Sequence, residues 1–267
     1  MKKTSKLRIK LTIIFILISL IPVITTAFIL INNSKNLIEQ KMNNLTKQIS
    51  TEKVAYIDSL IQVSETAIQS ITKDENILSG NTENIFSILS NYNLSNPNFF
   101  QSYIGKQDKE FIITPKRQMP EGYDPTQRPW YIEATNNFGN VIITKPYQSS
   151  STGYMMVTVA KAFKLSDGTQ AVAGIDITLE TLIDHIAKTR VGETGYTVLL
   201  QEDGTIIAHP NEQLVMTNIA DEYEFGKEVI SQKSGNLKYT TDRESKISGF
   251  DQSSLTNWIV LSSIVVF

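Results

Sequence analysis

Between Leu11 and Ile31 the chain reads LTIIFILISLIPVITTAFILI, with no charge at any position. As a helix this run spans roughly 30 Å, the thickness of a bilayer's hydrocarbon core. A cleavable signal peptide has a shorter apolar region of about 7–15 residues and ends at small residues. The TTA at 25–27 is a weak cleavage motif, so the run reads as a retained transmembrane helix. From Asn32 to about Ser79 there is neither Gly nor Pro, and apolar residues recur at intervals of three and four. The pattern predicts one long stalk helix over 32–80, ended by Gly80. Its stripe runs Ile38, Met42, Leu45, Ile49, Tyr56, Leu60, Val63, Ala67 and Ile71, interrupted at Lys53. One apolar stripe on so long a helix needs partners: its own domain, and a second copy in a parallel homodimer. Asn81 to Asn96 reads as a second, short helix before Pro97.

Beyond Pro97 the period shortens to that of strands. Phe99 to Ile104 and Glu110 to Thr114 flank a polar turn at Lys106 to Lys109. The same plan returns at Tyr196 to Leu200 and Thr205 to His209, around Glu202-Asp203-Gly204. Aligned without gaps, QDKEFIITP at 107–115 faces EDGTIIAHP at 202–210 at an offset of 95, and suggests two related modules. The first continues with a helix from about Arg128 to Asn137 and strands at Val141 to Lys145, Tyr154 to Leu165 and Ala171 to Leu179. Ser166-Asp167-Gly168 turns the last two into a hairpin. A helix at Thr181 to Lys188 leads to Gly192-Glu193-Thr194-Gly195, and strands follow near Asn236 to Thr241, Ser245 to Asp251 and Trp258 to Val266. The pattern is α+β with antiparallel sheets, in modules at 81–190 and 191–267.

Charge adds a direction. Residues 1–10 carry Lys2, Lys3, Lys6, Arg8 and Lys10 with no acid, which places this tail in the cytoplasm and Asn32 onward outside. Removing those five from the 25 basic residues leaves 20 against 27 acidic ones. The exported part is therefore acidic, and nucleic acid is not an expected partner. Cysteine is absent and His185 and His209 are the two histidines, so no metal site or cofactor is expected. No G-x-S-x-G, P-loop, HExxH or G-x-G-x-x-G occurs, and an enzyme is not the expected reading.

The chemistry concentrates in Tyr123 to Tyr131, YDPTQRPWY. A helix emerging from an apolar run, duplicated strand modules, Arg-Pro-Trp-Tyr at 128–131 and Gly-Glu-Thr-Gly-Tyr at 192–196 resemble a double Cache sensor domain. That is the extracellular input domain of bacterial methyl-accepting chemotaxis receptors and some sensor kinases, with two PAS-like modules in tandem. The resemblance covers residues 32 to 267. It resembles the subset that binds free amino acids, and the matching residues are Tyr123, Arg128, Trp130, Tyr131, Tyr147 and Asp176. The resemblance implies that Tyr123, Arg128 and Trp130 hold the ligand carboxylate and that Tyr131, Tyr147 and Asp176 hold the ammonium. Because all six lie between Tyr123 and Asp176, the ligand is expected in the first, membrane-distal module. One departure is Ser149, where relatives often carry an acid; it remains a possible pocket contact.

The residues themselves point the same way. A zwitterion needs a cation and an anion a few ångströms apart. Arg128 offers a bidentate fork and Trp130 an indole donor. Asp176 lies within the apolar strand Ala173-Gly174-Ile175-Asp176-Ile177, where a buried carboxylate needs a partner. Plainer readings stand beside these: Arg128 paired with Asp176, Trp130 and Tyr131 as core aromatics, or a purely structural spacer. A sensor of a small carboxylate or amine, feeding a histidine kinase or a cyclic-dinucleotide enzyme, is the alternative function. The chain closes on a strand, IVLSSIVVF, so a second transmembrane helix and a cytoplasmic output module are expected beyond it.

Overall fold

The computed structural model describes residues 2–186, 191–241 and 243–266, with side chains from Ile13 onward. Helix α1 runs unbroken through Lys2–Ile71, 70 residues including Pro22. It contains the described helix that is long and apolar enough to cross a membrane. Its apolar side chains there face outward, Phe15 at 77% exposure. Thr25 Oγ1 donates to the carbonyls of Ile21 and Pro22, and Thr26 Oγ1 to that of Pro22, so these hydroxyls are satisfied within the helix. The Lys and Arg side chains expected of the tail lie outside the described residues.

The long helix ends at Ile71, earlier than Gly80. A turn leads to α2 (Glu75–Leu78) and then α3 (Thr82–Ser95), where Asn81 caps by accepting from Asn84 N at 3.0 Å. The buried face of α1 also differs from the predicted stripe. Ile38, Leu45 and Val63 are exposed, at 51%, 40% and 44%. The buried row instead runs Thr46, Ser50, Val54, Ile57, Ile61, Ser64, Ile68 and Ile71, with Leu60 and Ala67 beside it. Three hydroxyl residues sit on that row, two of them (Thr46 and Ser50) where the helix meets the backbone at Gly249, and their polarity hid it from a search for apolar periodicity.

Two antiparallel sheets hang on this helix. In the first, β1 (Gln101–Lys106), β2 (Phe111–Thr114), β3 (Val141–Ile143), β5 (Met155–Lys164) and β6 (Gln170–Thr178) lie in the order β2-β1-β6-β5-β3, and the two-residue β4 (Tyr147–Gln148) pairs with β5. In the second, β7 (Tyr196–Leu200), β8 (Ile206–Ala208), β9 (Gly235–Thr241), β10 (Glu244–Gln252) and β11 (Ile259–Val266) lie in the order β8-β7-β11-β10-β9. Leaving out the two-residue β4, the orders are the same when each sheet is counted from its own first strand. The offset of 95 between β1 and β7 matches the repeat read from sequence. Helix α4 (Pro129–Asn136) covers the first sheet, α5 (Leu179–Ile186) joins the modules, and α6 (Ile219–Glu222) and α7 (Gly226–Gln232) precede β9. The last residues of the helix expected at Thr181 to Lys188 lie outside the described residues.

The first sheet buries Ile175, Ile177 and Val159 on one face against Ile57, Ile61 and Ile68 of α1 and Ile85 and Leu89 of α3. Its other face carries Tyr103, Ala160, Ala162 and Val172 under Trp130, Tyr131 and Ala134 of α4. The second sheet meets α1 nearer the apolar segment. Lys238 pairs with Glu39 at 2.6 Å, Lys47 with Asp251 at 2.9 Å, and Ser50 Oγ donates to the Gly249 carbonyl at 2.8 Å. Contact there is close: a Cβ on Gly249 would lie 2.2 Å from Lys47 N.

Candidate functional site

Strand register builds the acidic end of the site. Asp176 in β6 lies opposite Gln101 of β1 and Thr158 of β5, so three polar side chains form one row across the sheet. Asp176 is 1% exposed. Its carboxylate accepts from Gln101 Nε2 at 2.5 Å, Thr158 Oγ1 at 2.5 Å and the Tyr103 hydroxyl at 2.7 Å. Tyr103 reaches it by lying over Gly174, where an added Cβ would come within 2.4 Å of the ring. Burial pushes the Asp176 carboxyl up from 3.8 to about 6, against the three donors, which lower it. The more distant charge of Arg117 lowers it a little further, but among the described residues Asp176 forms no ion pair.

A second link extends the row. Thr158 has a single hydroxyl proton, given to Asp176, so the Tyr147 hydroxyl at 2.7 Å donates to Thr158. That leaves the lone pairs of Tyr147 free to accept. Burial, and then the charge of Asp176, raises the Tyr147 phenol, and burial pushes Tyr123 up to about 12. Both phenols are therefore neutral at physiological pH.

The cationic end comes from local loop chemistry. Asp124 caps the 3-10 turn Pro125–Gln127 by accepting from Thr126 N at 3.0 Å. Pro129 then starts α4 at a position where its fixed φ and missing N–H cost nothing. Arg128, between the two, has extended backbone and its side chain makes no cap. Its Nε donates to the Asp124 carbonyl at 3.2 Å and its guanidinium stands 5.2 Å from the Tyr123 ring centroid. Among the described residues Arg128 has no ion pair, so the simple Arg128–Asp176 pair is not formed.

These ends share one cavity of about 200 Å³. Of the residues singled out from sequence, Tyr123, Arg128, Trp130, Tyr147, Ser149 and Asp176 line it, and Tyr131 does not. Tyr131 packs behind Trp130, ring centroids 5.6 Å apart, with its hydroxyl buried and without a partner. Trp130 is both core and wall: it is 2% exposed and packs on Tyr103 at 4.7 Å. Gln101, Tyr103, Phe111 and Met119 also line the cavity and were not anticipated. A Gln and a Tyr two apart in β1 carry no motif; only the register with Asp176 brings them in. A larger cleft of about 510 Å³ lies between the modules, but its charges, Glu65, Lys145, Glu202 and Asp203, are exposed or half-buried. Among the described residues no cluster of metal-ligating side chains occurs.

Two like sheets on one helix, the first hollowed between opposed charges, define a tandem binding module. The chain belongs to the Cache domain family, whose model matches residues 31–266. It is 28% identical over 259 residues to the methyl-accepting chemotaxis protein McpB of Bacillus subtilis (strain 168), covering 96% of this chain and 38% of that protein. To McpA of the same organism it is 30% identical over 253 residues, covering 93% of this chain and 37% of McpA. The chain thus spans less than two fifths of the length of these curated relatives. Among solved structures it is similar to the ligand-binding domain of the Pseudomonas fluorescens chemoreceptor CtaA in complex with L-leucine. That match has 27% identity and a TM-score of 0.68, covering 86% of this chain and 97% of that one. The amino acid chemoreceptor PctB of Pseudomonas aeruginosa PAO1, in complex with L-arginine, shares the fold at 24% identity and a TM-score of 0.65, covering 88% of this chain and 96% of that one.

Proposed function

We propose that this chain is the extracellular ligand-sensing part of a membrane-anchored chemotaxis receptor, and that it binds a free amino acid in the module of the first sheet. The observation that carries this is the shared cavity of Arg128 and Asp176, both without an ion pair among the described residues and the second of them 1% exposed. Arg128, with Trp130 and Tyr123, takes the ligand carboxylate; Asp176 and Tyr147 take the ammonium. Tyr131 braces Trp130. A zwitterion supplies to each end the charge it lacks, and neither a simple acid nor a simple amine does both.

In this reading Leu11 to Ile31 is the anchor, with residues 1–10 cytoplasmic. The module at 191–267 lies next to the membrane, because it packs on α1 from Glu39 to Asp58, and the module at 81–190 is distal. The exposed Ile38, Leu45 and Val63 on α1 favour pairing with a second copy. Ligand occupancy is read out as a shift of helices toward cytoplasmic signalling partners.

The test is a thermal-shift screen of the chain in detergent against the twenty free L-amino acids, with organic acids, amines and sugars as comparators. A ligand at about 100 times its dissociation constant stabilises by about 2.7 kcal/mol. A shift with one or more amino acids is expected. Shifts confined to acids lacking an amine, or to amines lacking a carboxylate, would overturn the reading.

A further inference from the structure

Gln101 is held by one end of its amide only. Its Nε2 donates to Asp176 at 2.5 Å, while its Oε1 is buried and has no partner. The residue is 4% exposed and lines the cavity beside Asp176 and Tyr147. The amide orientation is not arbitrary: turned over, it would set Oε1 against a carboxylate oxygen and leave the amide hydrogens unsatisfied. A carbonyl fixed this way, stripped of water and without a donor, is a costly arrangement unless something brings a donor to it.

Three acceptors therefore belong to residues that line this end of the cavity. They are the Asp176 carboxylate, the Tyr147 oxygen, whose own proton goes to Thr158, and Gln101 Oε1. A primary ammonium has three N–H donors. We infer that Gln101 is a further ligand-binding residue, whose carbonyl accepts the third ammonium hydrogen and makes the site selective for primary amino acids over N-alkylated ones. Building on the proposed function, this assigns how the same site reads its ligand. L-proline and N-methyl amino acids bring one N–H fewer and a carbon in its place, so they leave Oε1 facing an alkyl group.

The experiment is isothermal titration of the chain in detergent with the primary amino acids that shift it in the thermal screen, each with its N-methyl counterpart. It compares unaltered protein with Gln101→Met and Gln101→Glu. Gln101→Met keeps length but has neither donor nor acceptor. Gln101→Glu, protonated beside Asp176, gives its proton to that carboxylate and retains one accepting oxygen. The unaltered chain should prefer the primary amine by about tenfold or more, the scale of one hydrogen bond to a charged group. Gln101→Met should lose that preference and Gln101→Glu should keep it. Loss of affinity by the same factor for both members of a pair in Gln101→Met would make Gln101 a support for Asp176 only and overturn the inference, as would unchanged preference. Either result leaves amino-acid binding itself standing. An unaltered chain that binds none of the twenty would overturn both readings.

Discussion

The two sheets share a framework residue by residue but solve opposite problems with it. Register places Tyr196 opposite Ser263, Ser263 opposite Ser248, and Tyr239 opposite Lys246. The matching set in the first sheet is Gln101, Asp176, Thr158 and Tyr147. Ser263 thus occupies the place of Asp176, Ser248 that of Thr158, and Tyr239 that of Tyr147. In the second sheet the row closes on itself: Ser263 Oγ lies 2.6 Å from Ser248 Oγ and 2.9 Å from the Tyr239 hydroxyl. Phe225 stacks on Tyr239 at 3.8 Å and on Tyr223 at 5.3 Å, filling the space in front. In the first sheet an acid replaces the serine, a cavity of about 200 Å³ replaces the aromatic plug, and Gln101 Oε1 is unpartnered. Among the described residues, no buried side-chain atom of the second module lacks a partner. The polar row of the second sheet closes on itself, and that of the first leaves a buried acceptor open.

The largest test of that contrast is Asp176→Asn. Removing one partner of a buried charge pair costs about 3–5 kcal/mol, so amino-acid affinity should fall about 10²- to 10³-fold or more by calorimetry. The unliganded fold should respond in the other direction. With the folded carboxyl at about 6, above its ordinary 3.8, the native state keeps a proton that the unfolded chain has released. Native stability from this group is then full below 3.8 and is lost as pH rises through about 6, by roughly 3 kcal/mol. Asparagine abolishes that loss, Gln101 turning its carbonyl to the new amide. Melts of ligand-free protein at pH 5 and pH 8 should show a decline in the parent that is smaller in Asp176→Asn. Equal declines would mean that the carboxylate is not uncompensated.

The converse change, Ser263→Asp, installs the acid in the second sheet. Ser248 and Tyr239 can donate to it, but the position is fully buried. Buried carboxylates without a cation cost several kcal/mol or take up a proton. A large fall in melting temperature at pH 8, partly recovered at pH 5, is expected. A neutral outcome would show that the second site tolerates a charge and that the comparison overstates its closure.

The modules also differ in how they hold α1. Large aliphatic side chains, Ile57, Ile61 and Ile68, seat the first, while Thr46 and Ser50 lie against backbone in the second. Gly249→Ala would drive a methyl into the backbone at Lys47, where nothing flexible can yield. Overpacking of this kind costs about 1–3 kcal/mol. Thermal melting should reveal the loss, and it should leave amino-acid affinity in the first module unchanged once the protein is folded. An affinity loss of similar size would show instead that the two modules are coupled through the helix.

Much of this was legible in the sequence, and the failures have a common cause. The repeat at 107–115 and 202–210 announced two β-hairpins, because turn residues and flanking strands are local signals. Arg128, Trp130 and Tyr123 sit within one short stretch, and Asp176 is conspicuous as a charge in an apolar strand. Adjacent residues on a helix face different ways, so Trp130 meets the cavity and Tyr131 the layer behind, a distinction that proximity in sequence does not carry. Gln101, Tyr103 and Thr158 depend on register between strands 18 to 75 residues apart, which no local pattern encodes. Helices α6 and α7 went unread for a related reason. They are 4 and 7 residues long, too short for a period to show.

The finest test compares the two tyrosines that register makes equivalent. Tyr147→Phe removes an acceptor from the ammonium end of the cavity and one donor to Thr158. Tyr239→Phe removes a hydroxyl that bridges Ser263 and Ser248 in a row with no ligand. Both are deletions of a single oxygen from a buried or half-buried ring, worth about 1 kcal/mol as hydrogen bonds. The difference lies in where that energy is read. Tyr147→Phe should weaken amino-acid binding about fivefold to tenfold with little change in ligand-free melting, because Thr158 keeps its bond to Asp176. Tyr239→Phe should lower the melting temperature by a few degrees and leave affinity alone, because Ser248 and Ser263 then have only each other. If both variants lose stability and neither loses affinity, Tyr147 is a structural residue like its counterpart, and the ammonium is held without it.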